Sequence, residues 1–349
     1  MAPAGADPRP PVGRAPAALH AARKSVGQML DAEGLNLVAC SGGADSLALA
    51  SAAAWHHQRT SGPLAGVRVG AVVVDHHLHP DSVEVSGRAV RQLKEMGLDP
   101  VRIFTADVDP ESPLGPEAAA RTGRYRAFQE AFKELEASRI LLAHTRDDQA
   151  EQVLLGLARG SGTRSLAGIP TARGPYRRPL LSLTRSETEA ICRHAGLSWW
   201  EDPANSDPRY LRSKIRTQVL PFLREHLSGS IYDSLARTAD IAADDADYLE
   251  TQAKDIFPQL LEDPDPTGAL RLKLNPLRAE PPAIRRRILA LAVVAAGGAN
   301  PSHERLTAAE KLLTGSRSAG PVQMEGDVSL HRGARGTGEY GKLVIVPPS

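Results

Sequence analysis

The run Leu37-Val38-Ala39-Cys40-Ser41-Gly42-Gly43-Ala44-Asp45-Ser46-Leu47-Ala48-Leu49 constrains the fold of this chain more than any other stretch. It opens as an apolar segment short enough for a buried strand and breaks into Ser-Gly-Gly. Apolar residues then return at helical spacing, Leu47, Leu49 and Ala50 among them. The expectation is strand, tight turn, helix. Glycines at 42 and 43 accept positive φ and carry no Cβ, so backbone N–H groups in the turn can close on a ligand. The helix N-terminus directs unpaired N–H groups and its dipole at the same place, which suits a phosphate or pyrophosphate. Ser41 and Ser46 add hydroxyl donors. Asp45 repels an anion unless a cation intervenes, so an acid at this point implies Mg²⁺ between carboxylate and phosphates.

The Gly-x-x-x-x-Gly-Lys-Ser/Thr and Gly-x-Gly-x-x-Gly phosphate motifs do not fit residues 41–50. Ser-Gly-Gly-x-Asp-Ser resembles the PP-loop of the N-type ATP pyrophosphatases, enzymes that split ATP between the α- and β-phosphates. The alternative is a small-residue turn with no ligand.

Downstream, Val67–Val74 reads as a second strand ending at Asp75-His76, where the carboxyl end of a parallel strand opens onto a ligand crevice. His76, His77 and His79 lack a further pair to close a metal site. Val83–Met96 reads as a crossover helix and Val101–Phe104 as a third strand, followed by a Pro-rich loop over 107–116. A helix from Glu117 carries Arg121 and Arg124 on one face, either a phosphate clamp or a salt-bridged surface. Ile140–Ala143 is a fourth strand that delivers His144, Asp147 and Asp148 to a strand-to-helix turn; the two acids can serve chemistry or the helix dipole. Alternating strands and helices predict an α/β fold, a doubly wound, mostly parallel sheet with right-handed crossovers.

At 349 residues the chain is long enough for two domains, and nothing in it approaches the ~18 apolar residues of a membrane span. Residues 1–20, rich in Ala, Pro, Gly and Arg, read as a disordered lead-in rather than a signal peptide. Cys40 and Cys192 make no disulfide framework, so a reduced, cytoplasmic setting is the default. The net charge of +1 conceals a polarity: Leu155–Leu220 holds eleven Lys or Arg against five Asp or Glu, whereas Pro221–Leu270 holds three against eleven. A basic segment beside a nucleotide site points to a polyanionic second substrate, or else to a solvated Arg-rich face. The acidic stretch after Pro221 reads as a long helix, Ile231–Phe257, and Val322–Pro347 as short strands.

Ser41-Gly-Gly-Ala-Asp-Ser46, Val74-Asp75-His76, Arg121 with Arg124-Tyr125, His144-x-x-Asp147-Asp148-Gln149-Ala150-Glu151, Arg159-Gly160, Arg178-Pro179-Leu180-Leu181 and Asp202-Pro203-x-Asn205 through Arg216 follow in an order that resembles tRNA(Ile)-lysidine synthetases. The resemblance spans roughly residues 36–220. It implies an adenine nucleotide alpha hydrolase-like PP-loop domain over 21–220, with a linker helix and a smaller helical or α+β tRNA-binding domain over 221–349. It also implies ligation of free L-lysine to C2 of the first anticodon base, a cytidine, in a CAU-anticodon tRNA(Ile). ATP would be cleaved to AMP and pyrophosphate through an adenylated cytidine, and self-association as a homodimer is suggested too.

On that resemblance, Ser41, Gly42, Gly43, Ala44, Asp45, Ser46, Asp75 and His76 bind ATP, and Asp45 and Asp148 hold Mg²⁺. Arg124 and His144 stabilise phosphoryl charge, and Asp147 or Asp148 holds or deprotonates the lysine amine. Arg121, Arg159, Arg164, Arg209, Arg212, Lys214 and Arg216 contact RNA. Trp199, Trp200 or Tyr210 could stack an extruded base, with interdomain packing the plainer reading of the tryptophan pair. Departures occur at His77 and His79, where relatives often carry Gly and Arg, at Ser213 in place of Asn, and at Glu151-Gln152 in place of Glu-Thr. Two competing readings remain: another PP-loop tRNA-modifying enzyme, or a catalytically silent RNA-binding protein. A thiolase of this superfamily would be expected to show CxxC, and a glutamine-dependent synthetase an amidotransferase domain.

Overall fold

A computed structural model describes residues 15–75, 81–107, 115–160, 162–203, 207, 210–262, 268–315 and 321–348. Its contacts divide the chain into two units, Met1–Gly160 with Ser165–Asp240, and Ser161–Arg164 with Ile241–Ser349.

The first unit runs α1 (Ala17–Met29), β1 (Leu35–Cys40), α2 (Ala44–His57), β2 (Arg68–Asp75), α3 (Ser82–Glu95), β3 (Val101–Thr105), α4 (Pro116–Glu134), β4 (Ala137–Leu141) and α5 (Arg146–Arg159). After a single helical turn, α6 (Thr163–Leu166), come β5 (Ala172–Arg173), β6 (Tyr176–Arg177), α7 (Arg185–His194), α8 (Leu211–Lys214), α9 (Leu220–His226) and the start of α10 (Ile231–Leu260). The sheet order is β3-β2-β1-β4-β6-β5. All its pairings are parallel except β5 with β6.

β1 is apolar throughout because both its faces are covered. Val38 and Cys40 pack with α1, α2 and α7, while Leu35 and Leu37 face Ala127, Phe128 and Ala131 of α4. The chain moves outward to β2 and β3 on one side of β1 and to β4 on the other, so strand order reverses between β1 and β4. The crevice at the carboxyl ends of those two strands is where an open α/β sheet binds its ligands. The turns that follow them are 41–43 and 142–145; β4 starts and ends earlier than the expected strand Ile140–Ala143.

Between α8 and α9 the chain makes a π-helical turn, Ile215–Val219. Ile215 and Leu220 pack with Ala150 and Leu155 of α5, and Tyr232 and Leu235 of α10 join them. The segment 221–240 is thereby part of the first unit. Trp199 packs on that unit's own core, and the Trp200 N–H donates to the Gly42 carbonyl at 3.0 Å.

In the second unit, β7 (Leu270–Lys273), α11 (Leu274–Ala279), α12 (Pro282–Ala295), α13 (His303–Thr314), β8 (Val322–Gln323), β9 (Ser329–Arg332) and β10 (Lys342–Val346) build an antiparallel sheet, β7-β10-β9-β8, with helices packed on it. The three arginines at the entry of α12 have structural partners. Arg285 and Arg286 grip Glu310 at 2.7 and 2.8 Å, and Arg287 Nη1 donates to the Ala283 carbonyl.

Candidate active site

Gly42 has φ +80°, the left-handed conformation that its lack of a Cβ permits, and Gly43 caps α2. Ser46 Oγ donates to the Gly43 carbonyl at 2.8 Å and receives the Ser41 N–H at 3.2 Å, which ties the turn into a closed loop. Asp45 stands in the first turn of α2, its carboxylate receiving the Thr188 hydroxyl from α7 at 2.5 Å. Burial, joined by the negative charge of Asp148, pushes its proton affinity up to a pKa of about 6.

Across the crevice, Thr145 and Asp148 form a capping box at the start of α5, the Asp148 carboxylate accepting the Thr145 N–H at 2.8 Å and its hydroxyl at 3.0 Å. Its other oxygen faces Arg216 at 3.1 Å. Asp148 is therefore both a cap and an ion-pair partner. Arg216, in the π-helical turn, also grips Glu151 at 2.5 and 3.1 Å. Glu151 is fully buried, and that burial raises its pKa to about 6 despite Arg216. Burial likewise raises Asp147, which receives the Arg185 N–H at 2.9 Å. Asp45, Thr145, Asp147, Asp148, Glu151, Arg185, Arg216 and Tyr232 line one small pocket of about 40 Å³.

His144 is kept neutral: burial lowers its pKa to about 4, the positive charges of Arg178, Arg121 and Arg212 act the same way, and Asp148 opposes them. Among the described residues its Nδ1 is buried with no hydrogen-bond partner. Arg124 lies within electrostatic reach of Arg121, Tyr125, Asp202 and Arg212. Asp75 is buried at the end of β2. His76, Asn205 and Arg209 fall outside the described residues.

Of the other basic positions, Arg121, Arg159 and Lys214 are exposed. Arg212 donates to Gln152 at 2.6 Å, and Arg164 pairs with Asp247 and Glu250 in the second unit. From the sequence, Glu151 stands within the motif with no catalytic role assigned to it, and Arg185 and Thr188 are not singled out. Glu151 follows Asp148 at i+3 and Asp147 at i+4 on one helix, a spacing that places all three on one face. Arg185 and Thr188 gave no such signal, because only the fold brings α7 to the crevice.

With Asp45 and Glu151 both titrating near 6, activity is expected to fall on acidification through about pH 6 as they take up protons. Stability runs the other way. A carboxyl whose folded pKa lies above its unfolded value near 4 binds its proton more tightly when folded, so its contribution is greatest below pH 4 and is lost as pH rises through 6. A rate profile and thermal melts over pH 4.5–8 check both slopes; parallel loss of rate and stability on acidification would contradict the assignment.

A parallel α/β sheet with a Ser-Gly-Gly-x-Asp-Ser turn at its switch point defines a PP-loop ATP pyrophosphatase domain. Residues 19–223 match the PP-loop domain family and residues 272–334 match the TilS substrate binding domain. A tRNA(Ile)-lysidine synthase of Leifsonia xyli is 44% identical over 292 residues, 84% of this chain and 86% of the relative. One of Streptomyces coelicolor is 44% identical over 316 residues, 89% and 85% of the two chains. The chain belongs to the tRNA(Ile)-lysidine synthase family. Among solved structures, the U34-tRNA thiolase NcsA of Methanococcus maripaludis superposes with a TM-score of 0.54 at 18% identity, covering 65% of this chain and 78% of that one, a likeness of fold.

Proposed function

We propose that the protein joins L-lysine to C2 of the wobble cytidine of a CAU-anticodon tRNA(Ile), releasing AMP and pyrophosphate. The observation that carries this reading is the acidic pocket. A PP-loop acid, Asp45, faces three carboxylates on α5, with Arg185 and Arg216 among them. These donors suit an ammonium and a carboxylate beside a nucleotide turn, and the cavity of about 40 Å³ has room for the charged head of such a molecule rather than its whole length.

In the first step the cytosine O2 attacks the α-phosphorus and pyrophosphate leaves. The turn 41–46 holds the departing phosphates through N–H groups other than that of Ser41, which like the Ser46 hydroxyl expected as a donor is already used within the turn, and Arg124 stabilises charge on the phosphoryl oxygens. His144, neutral at working pH, serves as a hydrogen-bond donor. In the second step the lysine nitrogen bonds to C2, AMP departs and the nitrogen loses a proton. An amine of ordinary pKa about 10.4 must be deprotonated before it attacks. Asp147, whose proton affinity burial raises, receives that proton, while Asp148 and Glu151, held by Arg216, fix the ammonium and Arg185 the α-carboxylate.

Mg²⁺ fits this donor set through Asp45, an oxygen ligand at the phosphate turn whose negative charge crowds that of Asp148. Bound with ATP, it would neutralise phosphate charge. Asp148 would join as a second ligand by exchanging Arg216 or Thr145 for the ion. Among the described residues no group of three or more His, Cys, Asp or Glu side chains is placed to hold a metal alone, in keeping with an ion that arrives with its nucleotide. Arg159 and Lys214, exposed basic positions, are available to RNA phosphates. The reaction belongs in the cytoplasm, where tRNA is, and no described helix is long and apolar enough to cross a membrane. A homodimer is the expected assembly.

Labelled lysine given to purified protein with ATP, Mg²⁺ and total tRNA is expected to enter a CAU-anticodon tRNA(Ile). Cleavage of ATP to AMP and pyrophosphate on tRNA addition, without label, would point to a different nucleophile.

A further inference from the structure

We propose that the exposed face of α4 formed by Arg121, Thr122, Tyr125, Arg126 and Gln129 is a subsite for an unpaired tRNA nucleotide next to the reacting base, an inference that rests on the tRNA substrate proposed above. These five residues line a concavity of about 360 Å³, within the range of small-molecule sites, which begins near 300 Å³. The Arg121 guanidinium lies over the Tyr125 ring, 5.0 Å from its centroid. Tyr125 is fixed in turn by edge contacts to Phe128 and Tyr176, at 5.7 and 5.2 Å between centroids. A guanidinium braced on a held ring is a stacking platform for a nucleobase.

Around it most of the polar groups lack hydrogen-bond partners among the described residues. Arg126 and Gln129 are exposed, and among the described residues neither they nor Arg121 make a side-chain hydrogen bond or ion pair. Glu130, one turn beyond Arg126, is exposed as well and forms no ion pair with it among the described residues. Two other exposed arginines are matched, Arg88 with Glu84 and Arg102 with Glu134. Arg121 and Arg126, five residues apart, both line the concavity with no acid paired to either among the described residues, and a phosphate is a partner suited to such guanidiniums. Gln129 offers donor and acceptor together, the equipment for a base edge. The Thr122 hydroxyl already donates to the Ala118 carbonyl at 2.9 Å, so it is left with acceptor capacity for a ribose hydroxyl or an amino group.

The shelf adjoins the reacting centre, because the Arg121 charge is felt at His144 and Arg124. ATP is the less suitable occupant. A triphosphate is held by free backbone N–H groups, which the turn at 41–46 presents, and the middle of α4 has none to offer.

Equilibrium binding of a CAU-anticodon tRNA(Ile) transcript and of ATP to the full-length protein tests this, with wild type beside Arg126→Ala, Arg126→Lys and Gln129→Ala. The expected result is a tRNA Kd raised about five-fold or more in Arg126→Ala, with the slope of log Kd against log salt reduced by about 0.7, the value for one lost single-strand phosphate contact. Arg126→Lys should recover the slope, Gln129→Ala should weaken tRNA binding with the slope unchanged, and the ATP Kd should stay within about two-fold throughout. A tRNA Kd and slope equal to wild type in Arg126→Ala would overturn the proposal, as would an ATP Kd rising in step. Arg126-dependent tRNA binding in a protein that never incorporates lysine would support the subsite while sinking the lysidine reading.

Discussion

Asp45→Asn is expected to lower lysine incorporation by at least ~10²–10³-fold, the scale on which removal of one preorganised electrostatic contact acts. Asparagine keeps the size of the side chain and can still receive the Thr188 hydroxyl, so the α2–α7 contact survives. What it removes is the negative charge at the phosphate turn, and with it the group that would bring Mg²⁺ to the phosphates. The loss cannot be ascribed to unfolding. Burial and Asp148 disfavour the ionised carboxylate, which is why its pKa rises to about 6, and a neutral amide escapes that cost. The variant should therefore melt at or above the wild-type temperature at pH 7.5 while both ATP–pyrophosphate exchange and lysine incorporation collapse. Activity within about three-fold of wild type, with normal melting, would remove Asp45 from the mechanism.

The centre of the fold was legible because its signals are local. A strand buried on both faces reads as an apolar run, and the positive φ at Gly42 has a glycine to occupy it. His144 and the two following acids could be placed at a strand's carboxyl end from spacing alone. What escaped the sequence is held by distant pairing. β5 and β6 are two residues each, too short for any period, and are strands only because β4 lies beside Tyr176. β7 pairs with β10 some seventy residues on. Arg185 and Thr188 sit in an ordinary capped helix, and only packing of α7 on α2 brings them to the PP-loop. The same limit explains the basic segment between Leu155 and Leu220. Composition counted its arginines as available to RNA, yet Arg216 and Arg212 are turned inward onto Glu151, Asp148 and Gln152. Charge read along the chain does not reveal which charges are already paired across it.

Arg216→Met should be costly in a different way, destabilising the protein and disabling the pocket together. The guanidinium carries three hydrogen bonds to two carboxylates, one of them on the fully buried Glu151, and those partners hold its own pKa above the ordinary arginine value. Removing one member of such a buried set leaves an uncompensated charge, at about 3–5 kcal/mol. For a unit of this size that is a Tm drop of roughly 6–20 °C, at about 2–4 °C per kcal/mol. Glu151 has an escape, because it already titrates near 6 and without Arg216 will hold its proton to higher pH. The destabilisation should therefore be largest near pH 8 and shrink towards pH 5. Arg216→Met with Glu151→Gln should recover most of the lost stability, since no buried charge remains, but not lysine incorporation, since the pocket has lost the groups that orient the amine. Arg216→Lys should restore only part of either, a single ammonium being unable to span both acids as the planar fork does. Melts at two pH values on these variants, with single-turnover lysine transfer, separate the roles. A double variant that regains activity along with stability would make Arg216 and Glu151 a purely structural pair, leaving the chemistry of the pocket to Asp147 and Asp148.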